Sequence, residues 1–339
     1  MRESLDPGGR RWSIVLAGGE GVRMQPAIKR WLGRTVPKQY CRFVGTRSMF
    51  QHTLDRMMRA TSPARTVVVV GRGHQEAWGQ IGERHPGMVL VQPRNVDTAP
   101  GIFLPLTYIR ARDPEGTVVI APSDHFVFPE ERFLREVLYA VRAAEVLTDR
   151  VVLLAARPEG PEPEYGWIRP GRELACFGAR PVRAVKIFLE KPEPALAQLA
   201  YASGALWNTF LMAGKVDRFW TLGRKALPKM MALFERLGEA IDTPKEAEVL
   251  REIYERMPRL NFSRDLLAQV PGETAVMEMK GLWWSDWGSP ERIVDTLTRL
   301  GNSDAPVVEH LKEAAADYRP AGTVNIVLAR DEEDEAQVV

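Results

Sequence analysis

Ser13–Met24 reads SIVLAGGEGVRM: a short β-branched run enters three glycines and an arginine. A strand that empties into a glycine-rich turn lets backbone N–H groups approach phosphate oxygens, because no Cβ stands in the way. Spacing excludes two familiar versions of this arrangement. Counted from Gly19 and Gly21, a G-x-G-x-x-G dinucleotide fingerprint meets Met24 where its third glycine belongs. The string G-x-x-x-x-G-K-[ST] of a phosphate-binding P-loop does not occur in the chain. The next strand-like run also ends in Gly71-Arg72, without the acid that would take a ribose hydroxyl. Hydride transfer and Walker-type hydrolysis therefore lose support.

Outward from this loop, strand-like runs recur at Ser13–Ala17, Thr66–Val70, Met88–Val91, Thr117–Ala121 and Arg150–Ala155. Between them lie apolar residues at helical spacing, as in Met49–Met58 and Phe133–Leu147. This alternation predicts βαβ units: an α/β, Rossmann-like, three-layer fold around a mostly parallel sheet. Ligands in such sheets bind beyond the carboxyl ends of the strands, so the loops at Gly18, Gln92 and Pro122 should converge. The Pro- and Gly-rich stretch Pro158–Arg172 reads as a long connection. Asp217–Arg256 reads as largely helical, and Pro290–Leu300 and Ala305–Tyr318 as two closing helices. No internal repeat is present, and in particular no hexapeptide pattern of a β-helix.

Composition sets the class. With 339 residues, 45% hydrophobic and 27% charged, the chain can bury a full core. A net charge of +2 argues against nucleic acid or membrane as partner. Residues 1–50 nevertheless hold ten Lys/Arg against three acids, a local excess that suits a bound anion and equally suits a solvated basic face. Two cysteines, Cys41 and Cys176, make no disulfide framework and fit a reducing cytoplasm. Arg10-Arg11 precedes too short an apolar run for an export signal, and no stretch approaches the roughly 20 apolar residues of a membrane span.

The glycine loop is followed by further strings in a definite order: LAGGEGVRMQP (16–26), PKQY (37–40), QPRNVDTAPGI (92–102), APSDHFV (121–127), EYGWI (164–168), FLEKP (188–192), LWN (206–208) and WSDWGSPERI (284–293). In this set and order the chain resembles the sugar-1-phosphate nucleotidylyltransferases over residues 13 to about 300, with the strings nearest those of the guanylyl enzymes that act on mannose 1-phosphate. The resemblance implies the mixed sheet of nucleotide-diphospho-sugar transferases. It also implies a catalytic domain over 1–302, followed by a C-terminal helical extension over 303–330. The remaining residues, 331–339, form an acidic low-complexity tail that composition marks as disordered.

The resemblance assigns roles as well. Leu16, Ala17, Gly18, Gly19 and Gly21 cradle a nucleoside triphosphate, Arg23 reaches the leaving pyrophosphate, and Lys38 contacts phosphates near the reacting centre. Gln92, Asn95, Asp97 and Thr98 lie along base and ribose, although Asp97 or Thr98 would also serve as a helix N-cap. Gly166, Glu190, Lys191 and Asn208 form the hexose phosphate pocket; Glu190-Lys191 could equally be a surface ion pair. Asp124 and Asp286 are the expected ligands of a Mg²⁺ cofactor. For Asp286, set among tryptophans, a salt bridge is the competing account of how its charge is neutralised. His125 reads as a packed structural histidine, and Trp283, Trp284 and Trp287 as core.

These roles agree with the physics of forcing two polyanions together, which requires cations and a metal. The expected substrates are GTP and mannose 1-phosphate, giving GDP-mannose and pyrophosphate; a homodimer is compatible with the sequence. Two departures stand out. Ile28–Thr35, IKRWLGRT, lengthens the stretch between Arg23 and Lys38, and Asn208 is followed by Thr209-Phe210-Leu211 where the family continues through a glycine and an aromatic. A relative using another base or hexose, or a catalytically silent regulatory relative, remains open on sequence alone.

Overall fold

Four consecutive valines, Val67–Val70, are buried on both sides of their strand, which is what a sheet covered by helices on both faces demands. A computed structural model, describing residues 9–82 and 87–317, has that layout. The acidic tail and residues 318–330 of the expected extension lie outside the described residues. The first half runs β1 (Arg11–Ala17), α1 (Gln25–Leu32), α2 (Met49–Ala60), β2 (Thr66–Gly71), α3 (Gln75–Ile81), β3 (Met88–Gln92), α4 (Thr98–Arg112) and β4 (Thr117–Pro122). Its strands are parallel, in the order β3-β2-β1-β4.

The second half runs β5 (Phe126–Phe128), α5 (Glu130–Val146), β6 (Val151–Ala156), β7 (Gly166–Phe177), β8 (Arg180–Leu189), α6 (Pro194–Ala202), β9 (Leu206–Lys215), α7 (Val216–Ala226), α8 (Pro228–Ala240), α9 (Glu246–Arg256), β10 (Thr274–Glu278), β11 (Trp283–Ser285), α10 (Pro290–Arg299) and α11 (Pro306–Asp317). The sheet continues β9-β6-β10-β8-β7 to nine strands among the described residues. It is mixed because β9 runs antiparallel to both β4 and β6. Strand alternation sends Val15, Val68 and Val70 into one core, with α1, α2, α5, α10 and α11, and Ile14, Val67 and Val69 into the other, with α4, α7, α8 and α9. A separate ribbon pairs β5 with β11.

Local chemistry explains the helix ends nearest the loops. Ser48 and Gln51 exchange side-chain bonds with each other's backbone N–H, both at 3.1 Å, to start α2. Ser289 caps α10, with Pro290 at its first position. The IKRWLGRT insertion forms the end of α1, through Leu32, and the turn after it; α1 buries Ala27 and Ile28, closes on Gly33 at φ +71° and packs against α11.

One expectation is corrected. The connection assigned to Pro158–Arg172 ends at Tyr165, because Gly166–Ile168 pair with Asn208–Leu206 and Trp167 and Ile168 are buried. Pro170 and Gly171 mark irregular register against β8 rather than a loop, as Pro and Gly do inside strands.

Gly223 lets α7 approach α4 and α8: a Cβ there would lie 2.5 Å from Phe103 Cζ and 2.7 Å from Met231 Sδ. Both neighbours are fully buried, so Gly223→Ala is expected to destabilise the protein by about 1–3 kcal/mol of overpacking, read as a lower melting temperature by calorimetry. An unchanged melting temperature would mean that this helix packing yields easily.

Candidate active site

The carboxyl ends of β1, β3 and β4 meet as the topology requires. Ser123 N–H donates to Leu16 O at 3.0 Å, and a Cβ on Gly18 would sit 3.1 Å from Gln92 Oε1. The PKQY turn braces the glycine loop from beneath. Gln39 Nε2 donates to Ala17 O at 3.0 Å and Gly19 O at 2.7 Å, and Tyr40 Oη donates to Ala17 O at 3.0 Å. Gly21, at φ +60°, packs on the Lys38 backbone, where a Cβ would come within 3.1 Å of Lys38 N. A side chain there would be both strained and crowded. Gln92 is buried between this loop and Gly101 of α4, and its Nε2 has no partner.

Beside the loop the charges condense. The buried Lys38 Nζ lies 3.0 Å from Asp124 Oδ2, donates to Trp287 O at 3.2 Å and donates to Asp286 O. Asp286 is the hub. Its Oδ1 accepts from Tyr165 Oη at 2.9 Å, Gly288 N at 2.8 Å and Arg292 at 2.9 Å, while Oδ2 faces Arg23 at 3.4 Å. Arg23 also binds Glu164 at 2.8 Å, and Arg292 binds Glu162 at 2.8 Å. Burial pushes the Asp286 carboxyl up, but Arg292, Lys38, His125 and Arg23 more than offset it and hold it well below the carboxylate range. Asp124 is likewise held low, burial being outweighed chiefly by Lys38. His125 packs its ring edge-on to Trp284 at 5.3 Å, and burial pushes its pKa down.

Among the described residues no group of three or more His, Cys, Asp or Glu is arranged to hold a metal. Magnesium needs fewer protein ligands than that when phosphates and waters complete its octahedron. Asp124, whose side chain is 37% exposed, and Asp286 Oδ2 supply the hard oxygens that such a cation takes.

A second cluster adjoins the first through the Tyr165-Gly166 step. A Cβ on Gly166 would meet Glu190 Oε2 at 2.9 Å and Asn208 Cβ at 3.1 Å, so these three residues share one cradle. Burial raises the Glu190 carboxyl pKa, with Lys191 opposing it. Asn208 Oδ1 accepts from Phe210 N at 3.2 Å, and Phe210 carries φ +58°, a left-handed conformation that glycine adopts without strain. The altered segment after Asn208 is thus absorbed by irregular pairing between β9 and β6, with Thr209 Oγ1 donating to Leu154 O at 2.6 Å. Asp97 and Thr98 have local duties: Asp97 Oδ1 caps Thr98 N at 2.7 Å and accepts from Asn261 Nδ2 at 3.1 Å, and Thr98 Oγ1 accepts from Phe262 N at 2.8 Å. Asn95 Oδ1 accepts from Asp97 N at 3.1 Å.

A family model described as nucleotidyl transferase matches residues 12–302. The chain belongs to the nucleotidyl transferase family. It is 29% identical over 308 residues to the xanthan biosynthesis protein XanB of Xanthomonas campestris pv. campestris, a match covering 86% of this chain and 60% of that protein. It is 27% identical to a mannose-1-phosphate guanylyltransferase of Escherichia coli, over 94% of this chain and 67% of the relative. The chain thus spans about three fifths to two thirds of the length of these curated relatives. The crystal structure of a mannose-1-phosphate geranyltransferase from Thermus thermophilus superposes with a TM-score of 0.70 at 25% identity, covering 84% of this chain and 79% of that one.

In this member of the family the expected residues fall into two adjoining groups, with Gly18, Gly21, Arg23, Lys38, Gln92, Asp124 and Asp286 in one and Gly166, Glu190 and Asn208 in the other. Lys191, at φ +45°, follows Glu190 at the end of β8. The sequence does not by itself single out Tyr165 and Arg292, which bind Asp286, or Glu162 and Glu164, which bind its arginines. Arg292 and Glu164 lie inside the quoted strings, and their opposite charges were the available signal. Two tryptophans differ from expectation: Trp283 is 44% exposed on β11, and Trp284 is only half-buried, because a two-stranded ribbon covers one side of each strand only.

Proposed function

We propose that the protein transfers GMP from GTP to mannose 1-phosphate, forming GDP-mannose and pyrophosphate. The carrying observation is the pair of adjoining sites: a glycine loop with a lysine and two aspartates on one side of Tyr165, and the Gly166–Glu190–Asn208 cradle on the other. The relatives named above for mannose 1-phosphate support the choice of sugar.

In this reading a phosphate oxygen of the sugar attacks the α-phosphorus of GTP in line with the α–β bridging oxygen; the new P–O bond forms, the bridging bond breaks, and pyrophosphate leaves with the electron pair. Lys38 Nζ screens the crowded phosphates, and Arg23, released from Glu164, turns its planar fork to the leaving pyrophosphate. Glu190 accepts hydrogen bonds from ring hydroxyls, and Lys191 pairs with the sugar phosphate. Asp124, with Asp286 Oδ2, would hold Mg²⁺, which supplies charge neutralisation at the phosphates. A matrix of nucleoside triphosphates against hexose 1-phosphates, read by pyrophosphate release, tests the proposal. A preference for UTP or dTTP would remove the base assignment, and silence with every pair would remove the activity.

Gln92 offers a finer test. Its buried, unpartnered Nε2 needs an acceptor, which a guanine O6 or N7 provides. Gln92→Leu keeps the volume and removes the donor, so KM for GTP is expected to rise about tenfold with turnover nearly unchanged. Unaltered KM would place the base elsewhere.

A further inference from the structure

Glu20 is the one acid of Gly18–Arg23, the loop read above as a phosphate cradle. A nest of backbone N–H groups binds whatever anion reaches it, and a carboxylate hinged to the loop itself is such an anion. Phosphate therefore enters freely only when that carboxylate is held aside. His74, the residue that opens α3, is 5% exposed and adjoins the loop. Its ring fills the space that a side chain at the end of β2 would take: a Cβ on Gly71 would lie 2.8 Å from both Cε1 and Nε2. Gly71 N donates to Nδ1 at 3.3 Å, and that same nitrogen would lie 3.6 Å from a Cβ on Gly18. Nδ1 is also 3.2 Å from Ala17 O, but this carbonyl already accepts from Gln39 and Tyr40, which fill its two lone pairs. Nδ1 is thus an acceptor, and the proton of the neutral ring belongs on Nε2. Nε2 is buried with no hydrogen bond of its own, and Glu20 Oε1 lies 3.4 Å from it. The Glu20 side chain is 44% exposed, while its carbonyl accepts from Gln25 Nε2 at 2.9 Å, so the carboxylate can turn to that N–H with the loop backbone held.

We propose that His74 is a positioning residue for the triphosphate: its Nε2–H tethers the Glu20 carboxylate outside the Gly18–Gly21 cradle and leaves the loop N–H groups open to phosphate. Without the tether Glu20 becomes a competitor built into the chain. An intramolecular anion competes at high effective concentration, so the loss falls on nucleotide affinity rather than on the chemical step. The inference rests on the reading of this loop as the phosphate cradle and is independent of base and sugar.

Calorimetry of GTP binding to the full-length chain, without sugar phosphate, compares the wild type with His74→Asn, Glu20→Gln and the double variant. Asparagine keeps an acceptor for Gly71 N and removes the donor toward Glu20. His74→Asn is expected to raise Kd for GTP about tenfold or more, the worth of one charge-assisted contact, with kcat for pyrophosphate release changed by less than about twofold. Glu20→Gln removes the competing charge: alone it should bind about as the wild type does, and in the double variant it should restore Kd to within about threefold of the wild type. His74→Gln, whose amide nitrogen reaches the Nε2 position, should also stay within about threefold. A ring that merely packs gives no such suppression. A double variant as weak as His74→Asn overturns the proposal, and so does wild-type affinity in His74→Asn. If His74→Asn melts too low to assay, His74→Leu takes its place and is judged by the same suppression. Binding of another nucleoside triphosphate in place of GTP removes the base assignment, and the same variants are then compared with that nucleotide. Absence of pyrophosphate release with binding and suppression intact overturns the activity and leaves the tether standing, whereas a wild type that binds no nucleoside triphosphate overturns both.

Discussion

Asp124→Asn is expected to lower turnover by about a hundredfold or more, the scale seen when one preorganised electrostatic contact to a transition state is removed. The substitution isolates charge from shape. The amide oxygen would still accept from Lys38 Nζ, which now lies 3.0 Å from the carboxylate, so the loop geometry survives. The side chain is more than a third exposed, which keeps the stability change small, and the melting temperature should move by no more than about 2 °C. Two losses act together in the site: the hard anionic oxygen that would hold Mg²⁺, and the counter-charge that fixes the lysine. Titrating Mg²⁺ against activity separates them, since a lost metal ligand raises the cation concentration needed, whereas a misplaced lysine does not. Wild-type turnover in Asp124→Asn would remove Asp124 from the chemistry altogether.

Asp286→Asn should fail differently. The Asp286 carboxylate takes three hydrogen bonds on Oδ1 and faces Arg23 on Oδ2, and the guanidinium of Arg292, 17% exposed, depends on it. An amide must set an N–H₂ group against one of two guanidinium ions. Breaking a buried ion pair of this kind costs about 3 kcal/mol, which for a chain of this size lowers the melting temperature by roughly 4 °C. Activity should fall as well, because Tyr165, Arg23 and the Lys38 carbonyl partners all take their positions from this residue.

The pH dependence follows from the same contacts. The folded-state pKa of Asp286 lies below its unfolded value, so its contribution to stability is complete above about pH 4 and is lost as pH falls further toward the folded value. Calorimetry at about pH 7 and about pH 3 should therefore show a large gap between wild type and Asp286→Asn at neutrality that narrows in acid. An equal gap in both conditions, or none at neutrality, would sink the ion-pair account.

The alternation of β-branched runs with helical spacing already determined the α/β layering, and the glycine loop marked where the candidate site lies, because a parallel strand must deliver its loop to the carboxyl edge of the sheet. Both are local signals: strand period, helix period and missing Cβ atoms are written in consecutive residues. The family strings likewise named Lys38, Asp124 and Gly166 one by one. Tertiary structure alone decided what Asp286 does. Its partners Arg23, Tyr165 and Arg292 come from three separate segments, and only folding sets whether a buried carboxylate meets cations, a metal or both. The same holds for Pro170-Gly171, where composition suggested a loop and pairing with β8 kept a strand. It holds again for Phe210, whose left-handed backbone is imposed by the irregular pairing of β9 with β6 rather than by any preference of phenylalanine. Side-chain partnerships and register depend on distances between segments far apart in the chain, and a linear sequence carries those distances only through the fold it adopts.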